Sequence, residues 1–529
     1  MPTPSLARSF KLLTTRSSTV YRIFFLTTLL VAGGCRAQPD DLPPEPPLQI
    51  GVSGRMNGYS LARAREYYAA RFAVLLFEGL ARVDSAGTVQ PSLATRWDTL
   101  DGGRRFRFHL RRNVRFHDGT PFGSADVVRA WQLALQRTQS NHPWMLDAID
   151  GADASARTDV ALRGLTAVDD STLDVRLTTP LLQFPRLLIS PEAFIGARTS
   201  NDSVAVGTGP WQWRDGAANA DSIRLSRFGG YWGVQPRMGA LTVRVVDDTL
   251  MSRAIERRIV DCTSDLTRES MIALSARTDV RIIRRSPLGL VRLVLNLRTP
   301  VLSDLRVRRA LALALDRARL ASDASASPAR VANGPLPPDV AGSDKRYAGI
   351  PYDPTAAREL LTSAGFAAGL PRPLRLRLPS ASTVEFSSDL RSLLTTYWAA
   401  GGIAVEVSTD RAAPVDLELR VSYPDTRDAD DYLYSRFHST VAGEAGNTGE
   451  FRDTVVDRLL DSGRVVVDSI RRQQLMRAAS VRIDSLVPNI FLWYVPVTTA
   501  SHVRMAGCDA GLPSSTFVNA VRTHDTPPR

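Results

Sequence analysis

One short block of this chain changes hydrophobic period from that of a strand to that of a helix across a single turn. Arg105-Phe106-Arg107-Phe108-His109-Leu110 alternates strictly between polar and apolar residues, the pattern of a half-buried strand. His117-Asp118-Gly119-Thr120-Pro121 then has the composition of a turn. From Ser124 onward apolar residues recur at helical spacing through Trp131 and Leu133, with Gly123 or Ser124 as the N-cap. Alternation returns at Thr172–Leu177, and further strand-like runs are Leu48–Val52, Ile223–Leu225, Leu241–Val246, Leu290–Leu297 and Ile403–Val407. Helical spacing returns at Arg71–Leu80, Arg306–Leu320, Pro354–Ala364 and Ser388–Ala400, with Gly79 and Gly365 closing the first and third. Strand and helix signals are mixed throughout and no fixed-period repeat occurs. The expectation is an α/β protein of about two or three sub-domains, since single cores stop growing near roughly 250–300 residues.

The start of the chain reads as an export signal. Lys11, Arg16 and Arg22 precede the apolar run Ile23–Val31, which is shorter than the roughly twenty residues a membrane-spanning helix needs. Ala32-Gly33-Gly34-Cys35 follows, small residues before a cysteine, with Ala32 where a lipobox usually has leucine. Gln38 to Pro47 is proline-rich and acidic, the composition of an extended tether. Residues 1–35 are therefore expected to be a signal peptide ending in a lipobox, with Cys35 lipidated, and residues 36–47 a tether. The protein is expected to be exported and held to the membrane at its lipid.

Charge and side-chain chemistry exclude several classes. The net charge is +12, carried almost wholly by arginine, with lysine only at Lys11 and Lys345. The arginines are interleaved with acids and form no basic run, which argues against nucleic-acid binding. The cysteines are Cys35, Cys262 and Cys508, so no Cys-x-x-Cys pair exists. Cys262 and Cys508 are left as either a disulfide or two separate thiols. His109 and His117 have no third ligand at useful spacing and read as structural, so no metal site is expected. No Gly-x-Ser-x-Gly elbow or His-Glu-x-x-His helix appears, so no catalytic residue and no cofactor is expected. Gly207-Thr208-Gly209 lacks the length and lysine of a phosphate loop.

Several blocks in order carry a resemblance. They are Phe77-Glu78-Gly79-Leu80, Pro91 to Trp97, Phe106 to Val128, Gly207 to Pro210 with Tyr231-Trp232, and Asn296 with Asp304 to Ala310 and Ala314 to Arg317. Asn333 to Pro337, Tyr352-Asp353-Pro354 and Pro488-Asn489-Ile490 complete the series. Together, from about Phe72 to Gly507, the chain resembles the peptide- and nickel-binding family of bacterial extracellular solute-binding proteins, family 5. Two departures stand out. Arg258 occupies a position before Asp261 where the family usually has glycine, and Ser422-Tyr423-Pro424-Asp425 keeps an acid of a cleft motif but loses its tryptophan.

The resemblance implies a type II periplasmic binding protein: two lobes closing on a ligand, an extra domain in lobe I, and a hinge near Ser286 and Val495. The lobe I core would comprise residues 48–64, 178–286 and 496–529, the extra domain 65–177 and lobe II 287–495. It implies the substrate-binding component of an ABC importer, a monomer whose partners are a peptide or other small solute and the permease subunits. A nickel chelate, opine, sugar or haem is the alternative ligand, and a non-transport sensor the alternative role. A peptide presents a cationic amine and an anionic carboxylate, so its enclosed site needs an acid and a cation. Asp425 is the candidate for the amine, Arg292 for the carboxylate and Tyr423 for an aromatic wall. Thr208 and Gly209 form a candidate backbone approach, and Asn447, near Phe451, a candidate loop contact.

Overall fold

The computed structural model describes residues 47–505 except 55–60, 62–66, 85–87, 137–143, 153–161, 202–203, 216–219, 237, 285–288, 326–328, 380–388, 409–413, 425, 444–445, 497 and 504. Cys35, Asp425, Ser286 and Cys508, all named above, lie outside the described residues. Cys262 is disulfide-bonded. No helix among the described residues is long and apolar enough to cross a membrane.

Three large sheets organise residues 45–529. A seven-stranded sheet runs Val280–Arg284, Thr498–His502, Cys262–Thr263, Leu48–Val52, Ala240–Val245, Ser222–Arg227, Trp211–Asp215 in spatial order. Leu48–Val52 pairs in parallel with both neighbours, and the remaining pairs are antiparallel. A six-stranded sheet runs Arg330–Val331, Asn489–Val495, Gly289–Leu295, Leu417–Ser422, Leu374–Arg377, Val405–Ser408. The third, four-stranded and antiparallel, contains Ala94–Leu100, Arg105–Leu110, Thr172–Arg176 and Leu165–Asp169. The chain leaves the seven-stranded sheet after Arg284 and enters the six-stranded one at Gly289; it leaves again at Val495 and returns at Thr498.

Strand burial follows residue pattern. Arg105–Leu110 buries Phe106, Phe108 and Leu110 while the intervening residues stay partly exposed, as alternation requires. Gly289–Leu295 and Asn489–Val495 are buried along their whole length, because both faces of the six-stranded sheet are covered. Val291, Leu293 and Leu295 enter one core with Leu417, Leu419 and Trp398; Leu290 enters another with Tyr432, Phe437 and Tyr494. The core of the four-stranded sheet draws residues from Leu80 to Val206. Helix Tyr67–Leu76, by contrast, packs Phe72, Leu75 and Leu76 into the core of the seven-stranded sheet.

Three local expectations are corrected. The helix expected over Arg71–Leu80 spans Tyr67–Leu76 and ends before Glu78, whose backbone bridges Ile195 instead. The helix expected over Arg306–Leu320 is two, Leu305–Leu313 and Arg317–Asp323. Asp316 interrupts it by capping the second: its carboxylate accepts from the Arg319 N–H at 2.9 Å. The Ile403–Val407 strand is shifted to Val405–Ser408. Elsewhere the caps follow the residues. Gly123 precedes helix Ser124–Leu135 and donates its N–H to the Asp126 carboxylate at 3.0 Å. Gly365, at φ +91°, closes helix Pro354–Ser363 in the left-handed region.

Candidate ligand site at the meeting of the two large sheets

Helix Ala429–Phe437 is the element around which the candidate site is built. Its N-cap is Asp428, whose carboxylate accepts from the Asp430 N–H at 2.9 Å. Arg472, on helix Ser469–Leu486, grips Asp428 with both terminal nitrogens at 2.6 and 2.9 Å. Burial opposes ionisation of Asp428, but the charge and hydrogen bonds of Arg472, the Asp430 N–H and the Arg186 charge together outweigh it, holding the carboxyl below the ordinary aspartate value. Arg464, on helix Thr454–Val465, makes a second bidentate pair with the fully buried Asp430 at 2.9 Å. Thr426 donates its N–H to Asp431 at 2.9 Å, and its hydroxyl accepts from the Asp428 N–H at 3.0 Å. The acid-rich stretch after Asp425 is thus a paired framework. The arginines that meet it lie far along the sequence, so the stretch alone reads as a solvated loop.

Segments far away in sequence also meet this framework. The Leu182 N–H donates to the Arg464 carbonyl at 3.2 Å, and Arg186, on helix Phe184–Leu187, lies 3.9 Å from Asp428. Arg268, on the helix beside the seven-stranded sheet, donates to the Ser322 carbonyl on the other side.

The five candidate residues that are described, Thr208, Gly209, Arg292, Tyr423 and Asn447, do not form one cluster. Thr208 is fully buried, and its hydroxyl donates to Glu78 at 2.9 Å. Tyr231 and Trp232 donate to the same carboxyl at 3.0 and 2.8 Å. The Gly209 N–H donates to the Leu76 carbonyl at 3.0 Å, and a Cβ at Gly209 would lie 2.6 Å from the Leu75 oxygen. The close backbone approach expected of this turn is therefore made to the protein's own helix end. Asn447 is buried; its amide donates to Phe451 O and His438 O, and its carbonyl accepts from Phe451 N. It clamps the loop on which it sits.

Arg292 and Tyr423 share the six-stranded sheet on opposite faces. Tyr423 packs with the Val291 and Leu293 core, and a Cβ at Gly289 would stand 2.6 Å from its ring. Arg292 is 2% exposed and points to the other face, directly across from Arg420 in register. Burial, then repulsion from Arg436 and Arg420, pushes its pKa well below the arginine value, with Glu418 opposing.

The two histidines of the strand–turn block are engaged separately. His109 Nε2 lies 2.8 Å from Asp98. His117 accepts from the Gly207 N–H at Nδ1 and faces the Gly209 carbonyl at Nε2, 3.1 Å away; burial lowers its pKa to about 4. Among the described residues no group of three or more His, Cys, Asp or Glu side chains is placed to hold a metal.

The comparisons agree with this architecture. The family model "Bacterial extracellular solute-binding proteins, family 5 Middle" matches residues 88–444. The "Probable deoxycholate-binding periplasmic protein YgiS" of Escherichia coli is 27% identical over 511 residues, 86% of this chain and 90% of that protein. "Di/tripeptide-binding protein 2" of Pseudomonas aeruginosa is 25% identical over 524 residues, 93% and 96% of the two chains. The periplasmic binding protein DppA of Helicobacter pylori, solved with the peptide STSA, superposes with a TM-score of 0.79 at 18% identity, covering 90% of this chain and 97% of that one. The fold is that of the type II periplasmic binding proteins.

Proposed function

The chain belongs to the bacterial extracellular solute-binding proteins of family 5, and from that premise we propose that it captures a peptide or similar small solute between its two large sheet units. It hands the solute, chemically unaltered, to the permease of an ABC importer. The observation that carries this reading is the pair of crossings, Arg284 to Gly289 and Val495 to Thr498, the only strand-to-strand connections between the two large sheets among the described residues. Two neighbouring connections let two bodies turn about one line, the geometry of hinge closure on a ligand.

In this reading the seven-stranded sheet unit is lobe I, with the four-stranded unit attached to it, and residues 287–495 are lobe II. Asp425 receives the amine of the solute and Tyr423 stands near the crossing as a wall. Thr208, Gly209 and Asn447 shape the walls through the bonds described above. The protein works as a monomer, exported to the periplasm and held to the membrane by lipid on Cys35. Multiple acyl chains on one cysteine give stable anchoring where one would be marginal, and the proline-rich tether lets the body move while anchored. The second reading keeps the fold and exchanges the peptide for a non-peptide solute. The loss of the family's cleft tryptophan from Ser422-Tyr423-Pro424-Asp425 favours it, as does similarity to a relative named for deoxycholate.

Charge-assisted hydrogen bonds contribute about 1.5–3 kcal/mol, so Asp425→Asn should weaken binding of free-amine peptides roughly ten- to a hundredfold. Calorimetry with peptides retained from a mixed pool, and with their N-acetylated forms, measures this. Unchanged affinity in Asp425→Asn, or equal affinity for acetylated peptides, would remove Asp425 from the site.

A further inference from the structure

Among the described residues, the buried arginines have a carboxylate or several backbone carbonyls as partners, with one exception. Arg71 meets Asp265 at 2.7 Å. Arg308 donates to the carbonyls of Leu302, Ser303, Leu486 and Val487. Arg317 donates to Ala332, Phe491 and Ile350. Arg292, as buried as Arg71, has no carboxylate within ion-pair distance among the described residues. Its one partner among the described residues is the Asn489 side chain, which accepts from Nη1 at 2.6 Å with its amide turned to donate to the Pro488 carbonyl. Its Nε has no partner. The nearest acid on the facing strand, Glu418, is already bonded to Arg420 at 2.9 Å.

The surroundings sharpen the imbalance. Arg420 lies opposite Arg292 in the strand register, and Arg436 adds its charge from helix Ala429–Phe437. Arg292 lies on the sheet face of Leu290 and Phe491, the face that this helix covers. Guanidinium does not lose its proton at neutral pH. A buried cation left without an anion costs several kcal/mol, and a second and third positive charge nearby add to it. Planar guanidinium with a free edge matches an oxyanion of carboxylate shape.

We propose that Arg292 is an anion site, completed by one carboxylate-shaped oxyanion held beneath helix Ala429–Phe437. Two sources share that chemistry: a carboxylate carried by the captured solute, and a free anion from solution. The site itself stands on the Arg292 geometry; only the first source rests on the solute-binding reading.

The test compares thermal unfolding of wild type, Arg292→Met and Arg292→Lys in a buffer whose only anion is a bulky sulfonate. Sodium acetate, N-acetylated dipeptides and the C-terminal amides of the same dipeptides are added at millimolar concentration. In wild type, acetate should raise the melting temperature by several degrees, and the amides should not. Arg292→Met should melt at or above wild type without acetate, because it removes an unmet buried charge, and should ignore acetate. Arg292→Lys, which keeps charge but loses the fork, should respond weakly. N-acetylated dipeptides acting at lower concentration than acetate would assign the anion to the solute. Acetate acting without them would assign it to solution, and the solute reading alone would lose support. A wild type indifferent to acetate, or an Arg292→Met protein that responds as wild type does, overturns the anion site.

Discussion

On Glu78 three donors converge, the Thr208 hydroxyl, the Tyr231 hydroxyl and the Trp232 indole N–H. Those bonds favour the carboxylate, but burial outweighs them and raises the pKa from 4.5 to about 7. A folded-state value above the unfolded one means that the native protein holds the extra proton between these two values. The resulting stabilisation is complete below pH 4.5 and is lost as pH rises through about 7. Part of the side chain still meets solvent, so the loss by pH 8 should be on the order of 2 kcal/mol. Glu78→Gln, which mimics the protonated form, should match wild type near pH 5 and exceed it at pH 8 in urea unfolding. Parallel pH profiles for the two proteins would refute this assignment. Little of this was legible from residue types alone. Phe77-Glu78-Gly79-Leu80 and Gly207-Thr208-Gly209 are far apart in sequence, and nothing local says that the threonine is committed to the glutamate. Arg292 and Tyr423 were both named from sequence as cleft residues. Pleat parity, fixed by the pairing of Arg292 with Arg420, sets them on opposite faces.

Strands were the most legible elements, because a period of two survives in Arg105–Leu110 and Thr172–Arg176 whatever packs around them. Helix ends were less so: Asp316 inside an alanine- and leucine-rich run looks like one polar residue among many until its carboxylate is seen capping a new helix. Arg258 shows the opposite case, where a departure noticed in sequence has a backbone cause. It follows helix Met251–Glu256, is exposed, and takes φ +57°, the left-handed region that glycine enters without strain. A non-glycine residue there costs roughly 1–2 kcal/mol, while glycine loses about 0.4–1 kcal/mol more entropy on folding. Arg258→Gly should therefore stabilise the protein by about 0.5–1 kcal/mol, read as a higher denaturant midpoint at unchanged slope. A lower midpoint would mean that the arginine side chain makes a contribution its exposed position does not suggest.

For the whole molecule, the α/β class and the type II binding-protein fold were legible from the ordered blocks between Phe72 and Gly507. Parts assembled from distant segments were not. The seven-stranded sheet takes strands from Leu48–Val52 and from Thr498–His502, near the two ends of the described chain. The aspartates at the start of helix Ala429–Phe437 find their arginines on helices some tens of residues later. Leu182 and Arg186 reach that same framework from the segment after the four-stranded sheet. That framework thus joins the unit of the six-stranded sheet to the segment after the four-stranded one. The central claim is capture without chemistry, and native mass spectrometry of the protein isolated from its own cell envelope tests it most directly. The account predicts one small molecule per chain, released on unfolding and rebound on refolding with its mass unchanged. Steady conversion of that molecule into a product of different mass by the purified protein would contradict it.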